Sequence, residues 1–132
     1  MKKKIYNEIE HGITYLVIES YNYYVLHQYV LDKLHLDQKY KNVIYVKIIH
    51  IFEDNMKEIT YFKKCAIHNI YDNAFVRYVY SEKVVSSYYI NNECYTYDNW
   101  IKHPEVLVTL RKDKLKKIKN GTKRHNIINV AF

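Results

Sequence analysis

Seven histidines, two cysteines and sixteen tyrosines are the side chains here that could do chemistry, and their spacing decides which kind. A metal site readable from sequence needs ligands in a short pattern, such as two histidines one helical turn apart or a Cys-x-x-Cys pair. His11, His27, His35, His50, His68, His103 and His125 show neither that spacing nor a His-x-His pair. They are expected to be turn or strand histidines bonded to backbone, with no metal and no cofactor. Cys65 and Cys94 have no basic neighbourhood to generate a thiolate, and two cysteines in 132 residues make no disulfide framework. Glu53-Asp54 falls in an expected turn, where solvated carboxylates are ordinary. There is no glycine-rich phosphate loop and no Gly-x-Ser-x-Gly, so an enzyme is not expected.

Tyrosine carries a different chemistry. Sixteen Tyr against four Phe and one Trp favour half-exposed sheets, where the ring packs and the hydroxyl stays wet. The same rings pack in cross-strand ladders, anchor protein interfaces or stack on nucleobases. The expected contact residues are Tyr78, Tyr80, Tyr88, Tyr89 and Trp100, with Arg111, Lys112, Lys116 and Lys119 as a charged rim. From Arg111 onward, eight basic residues against the single Asp113 account for the whole net charge of +7. Basicity therefore belongs to the C-terminal element, and residues 1–110 are neutral overall.

The elements that must position these residues read mainly as strands. Residues 13–18, 23–30, 43–52, 59–62, 74–80 and 84–90 are β-branched or aromatic runs, the later ones separated by polar breaks. Runs so close in sequence are expected to pair as antiparallel hairpins. With only two glycines, Asp32, Asn55, Asn73 and Asn91-Asn92 are the residues expected at the turns. Pro104 suits a first helical position. Val106, Leu107, Leu110, Leu115 and Ile118 then fall on one broad helical face, and Asn120-Gly121 is a stop.

The fold expected is mainly β: one domain over 1–132, with an antiparallel sheet of successive β-hairpin repeats closed by a basic C-terminal α-helix. The hairpin-repeat sheet spans 13–97, the basic amphipathic helical segment 98–121 and the C-terminal tail 122–132. The tail ends apolar and is expected to dock as an edge strand or flap, which suits a homodimer. No signal peptide and no membrane-length apolar stretch is legible, so the reading is an intracellular, cytoplasmic protein.

Self-similarity is the most specific signal. Tyr61-Phe62-Lys63-Lys64-Cys65-Ala66-Ile67-His68 overlays Tyr88-Tyr89-Ile90-Asn91-Asn92-Glu93-Cys94-Tyr95, twenty-seven residues later, and Gln28 to His35 forms a fainter copy. At these residues the chain resembles the tyrosine-rich hairpin repeats related to MORN motifs, found in antitoxin-like bacterial proteins and in phage and giant-virus proteins. Their pattern is roughly Tyr-Tyr-x-Asn-Gly-Lys-x-His. Here the glycine slots hold Asp32, Cys65 and Asn92, and Trp100, His103 and Pro104 follow in the family's order. The resemblance implies a repetitive antiparallel sheet used for binding, with no shared catalytic residues. The leading expectation is a non-enzymatic module that binds and blocks a cellular protein, as an antitoxin-like or virus-encoded inhibitor does. The alternative is nucleic-acid binding, with the basic helix tracking phosphates and tyrosines stacking on bases.

Overall fold

The structure, a computed structural model, describes residues 2–21 and 27–115. Strands β1 (Lys2–Glu10) and β2 (Ile13–Tyr21) form an antiparallel hairpin across His11-Gly12. Both turn residues have positive φ, 52° and 78°, the mirror-image turn whose twist matches that of paired strands.

The chain then crosses over. Helix α1 (His27–Leu36) lies between β2 and β3 (Tyr45–Ile51), which pair in parallel, Leu16 opposite Val46 and Ile18 opposite Ile48. A parallel neighbour cannot be reached by a tight turn, so the connection carries a helix over one face of the sheet. Ten residues make a marginal helix in isolation. What holds α1 is the burial of Val30, Leu31 and Leu34 against Leu16, Ile18, Val46, Ile48 and Phe62. Each such side chain contributes about 2 kcal/mol. Near its end His35 Nδ1 lies 2.8 Å from the Leu31 carbonyl, and Asp37 N–H donates to the Leu34 carbonyl.

This crossover corrects two expectations. The run 23–30 is not a strand where it is described: residues 27–30 are the first turn of α1, and 23–26 lie outside the described residues. The faint repeat copy from Gln28 to His35 is helix rather than hairpin, and Asp32 sits on that helix instead of in a turn.

From β3 onward the sheet is antiparallel. β3 turns into β4 (Met56–Lys63) through residues 52–55, closed by Phe52 N–H donating to the Met56 carbonyl, with Asn55 at φ 57°. The far edge of β4 is shared: β5 (Ala66–Ile67) pairs with its end and β6 (Phe75–Val79) with its beginning. β7 (Glu82–Ile90) pairs with β6, and β8 (Glu93–Tyr95) covers the last residues of β7. The strand order is β1-β2-β3-β4-β6-β7-β8, with β5 beside β4. The two clear repeat copies become equivalent hairpins, β4–β5 turning on Lys64-Cys65 and β7–β8 on Asn91-Asn92. All four turn residues have positive φ, so these turns adopt a glycine-like backbone without glycine. Tyr80-Ser81 does the same between β6 and β7.

Beyond the sheet, α2 (Tyr97–Ile101) is capped by Thr96, whose Oγ1 accepts from Asn99 N–H. A break at 102–103 follows, and then helix α3 over 104–115. Pro104 opens it, as expected. His103 caps it through Nδ1, which accepts from Glu105 N–H at 3.2 Å. The segment 98–121 is thus two helices where it is described; residues 116–121 and the tail 122–132 lie outside the described residues. The mainly β fold with a C-terminal helix holds, while the sheet begins earlier than residue 13 and contains one parallel pair.

Candidate functional site

The face of the sheet opposite α1 is built from alternate residues of β2, β3 and β4, which the register sets side by side: Val17 opposite Lys47, Lys47 opposite Tyr61, Tyr45 opposite Lys63. Tyr15 stands edge-on to both Tyr45 and Tyr61, with ring centres 5.6 and 5.4 Å away. Burial pushes the hydroxyls of Tyr15 and Tyr61 well above the usual tyrosine range, with Glu10 adding to the effect. Lys47 is buried here with its charge answered: its Nζ donates to Glu10 Oε2 at 2.8 Å and lies 3.5 Å from Glu8. Tyr61 Oη also donates to Glu10, so one carboxylate serves both partners. These groups tie the β1–β2 hairpin to β3 and β4.

At one end of this face, the loop of residues 68–73 and the start of α3 enclose a cleft of about 370 Å3. Its sheet wall is Ile13, Tyr15, Tyr45 and Lys63; its other walls are His68 to Tyr71 and, from α3, Pro104, Glu105 and Val108. Asn69 organises the loop. Its Oδ1 accepts from the N–H groups of Tyr71 and Asp72, and its Nδ2 donates to the Asn73 carbonyl. Its own carbonyl accepts from Trp100 Nε1 at 3.2 Å. The Tyr71 ring stacks on His11 with ring centres 4.5 Å apart. His68 is only 5% exposed, and its Nδ1 accepts from Asn91 N–H at 3.1 Å, linking the two repeat hairpins. Burial, helped by Lys63, holds its imidazole below the usual histidine range. His35 and His68 both engage backbone, the role expected of them.

The expected contact residues do not form one surface. Tyr78 and Tyr80 lie together at the opposite end of the sheet, beside Phe52, Met56 and Lys57; Lys57 lies over the Tyr78 ring and Tyr80 is 71% exposed. Trp100 is corrected to a core residue, 5% exposed, packed with Ile90 and Val106 and with its ring 4.6 Å from that of Tyr88. Tyr88 is half-buried against it, while Tyr89, also half-buried, lies beside Cys94. Arg111 and Lys112 are exposed on α3, while Lys116 and Lys119 lie outside the described residues. Among the described residues of the apolar face expected on that helix, only Val106 is buried, because α3 meets the rest of the chain through its first residues; Leu107, Leu110 and Leu115 are exposed, and Ile118 lies outside the described residues. Asn69 and the cleft were not foreseen, since their residues come from five separate segments with no common spacing.

Cys65 Sγ lies 3.7 Å from His35 Nδ1, but burial, with Asp32 nearby, raises its thiol rather than activating it. Among the described residues no three His, Cys, Asp or Glu side chains converge on a metal position. No helix of the described residues is long and apolar enough to cross a membrane. No family model matches the chain, and neither does any curated protein or solved structure.

Proposed function

We propose that this chain is a non-enzymatic protein-binding module that occupies and blocks a cellular protein from within the producing or host cell, in the manner of an antitoxin-like or virus-encoded inhibitor. The observation that carries the reading is the exposed surface of α3. Leu107, Val108, Leu110 and Leu115 stand out beside Arg111 and Lys112 instead of packing inward. A mixed apolar and basic helix face of this kind is what a partner's groove takes up, reading side chains one helical turn apart. Tyr80 adds an exposed aromatic at the far end of the sheet, and the hairpin-repeat resemblance points to binding as well.

The test is a tagged pull-down from host lysate, with and without nuclease, using the intact chain and a Leu107→Ser/Leu110→Ser variant. A stoichiometric protein retained after nuclease and lost with the double variant supports the reading. Recovery of nucleic acid alone, released steeply by salt, would replace it with phosphate tracking by Arg111, Lys112 and the lysines that follow.

A further inference from the structure

We propose that the cleft between the Tyr15–Tyr45 face and α3 binds a small aromatic carboxylate, its ring among the tyrosines and its head between His68 and Lys63. This inference does not rest on the partner reading, though Val108 borders both the cleft and the exposed face of α3.

The argument begins with what the polar atoms at the cleft have left to offer. Asn69 commits its Oδ1 and one of its two Nδ2 protons to its own loop. His68 has given Nδ1 to Asn91 N–H, so in the neutral ring the proton sits on Nε2. That nitrogen has no protein partner among the described residues. His68 lines the cleft, and of its two ring nitrogens Nε2 is the one left to meet a ligand there. A donor on a side chain this deeply buried costs free energy unless something accepts from it. Lys63 stands on the neighbouring wall, its ammonium 5.9 Å from the centre of the Tyr45 ring. It makes no ion pair among the described residues. One neutral donor and one cation therefore face the same cavity, and an anionic acceptor answers both.

The rest of the lining defines the body of the ligand. Tyr15, Tyr45, Ile13, Ile70 and Val108 give flat and aliphatic walls, and about 370 Å3 falls within the size range of small-molecule sites. Glu105, on the α3 wall, is the one acidic group lining the cleft. As an acid in the first turn of a helix it is favoured where it is, and it weakens an anion's hold without removing it.

The probes are 3-phenylpropionate, the matched neutral 3-phenylpropanamide and the cationic phenethylamine, titrated into the full chain by NMR and calorimetry. The acid should shift signals of Ile13, Ile70 and Val108 and bind about tenfold tighter than the amide. His68→Asn keeps an acceptor where Nδ1 stands for Asn91 N–H while removing Nε2. It should bring acid affinity down to that of the amide, as should Lys63→Met, with amide binding unchanged. Glu105→Gln, an exposed change that leaves the hairpins intact, should tighten the acid severalfold. The proposal is overturned if the amide or the amine binds as well as the acid, if shifts map away from the cleft, or if Glu105→Gln fails to tighten acid binding. An acid that binds while no protein is captured on α3 would sink only the partner reading.

Discussion

Under α1, strands β2 and β3 present Leu16, Ile18, Val46 and Ile48, all buried, to a helix that answers with Val30, Leu31 and Leu34. Beyond β4, strands β6 and β7 present Arg77, Tyr78, Val84 and Val85, half-buried or exposed, and among the described residues no helix covers these positions. There Arg77 holds Glu58 through two 2.7 Å contacts, and Lys57 covers the Tyr78 ring. The two regions share one continuous sheet but are stabilised differently. The covered half relies on aliphatic packing. The open half uses amphipathic rings, charge pairs and turn geometry, which tolerate water. The tyrosine-rich composition thus reflects how much of this sheet has only one packed face.

The sharpest way to break the comparison is to truncate one residue in each half. Leu31→Ala should cost about 3 kcal/mol in urea unfolding, because a cavity opens among well-packed neighbours. Val85→Ala on the open half should stay within about 0.5 kcal/mol. Equal losses would mean the open half is packed against something in solution.

Next in size is a dependence on pH, to which the covered half contributes a stacked histidine pair while the buried His68 at the cleft acts in the same direction. His27 and His50 stack with ring centres 5.4 Å apart, and His27 stands edge-on to Phe62. Burial, then the neighbouring His50, pushes His27 down to about 4, with Glu58 opposing. Burial lowers His50 as well. A histidine whose folded value lies below its unfolded one makes the unfolded chain take up the proton first. Stability should be full above about pH 6.5 and decline as the pH falls towards 4. His27→Phe, which keeps a ring and removes the titration, should flatten much of that limb in urea melts taken across this range.

The smallest expected effect sharpens the other side. Ser81 is exposed and sits at φ 67° in the β6–β7 turn. Ser81→Gly should raise the stability of the open half by about 1 kcal/mol by relieving the left-handed strain. Slower amide exchange along β6 and β7 would report the gain.

How much of this was legible varies by element. Strands β2, β3, β4, β6 and β7 announce themselves in β-branched and aromatic runs, and Asn55 and Asn91-Asn92 mark turns because asparagine tolerates positive φ. α1 was hidden: Tyr29-Val30 reads as strand composition, and only Val30, Leu31 and Leu34 carry the helical period. β1 was hidden too. An edge strand blunted by Lys4, Glu8 and Glu10 shows no apolar alternation. The cleft could not be read at all, because Tyr15, Lys63, His68 and Glu105 meet only through the crossover and the break before α3.

That crossover also bears on how the chain reaches this structure. The hairpins close locally, on a scale of about 1–10 μs each for isolated sequences. The pairing of Leu16 with Val46 joins positions thirty residues apart, and it gains its support only when α1 lies across both strands. Long-range closure of this kind is paid in chain entropy before contacts repay it. The β1–β2 hairpin is therefore placed to dock late, as a preformed ribbon added to a sheet already nucleated by β3 and β4.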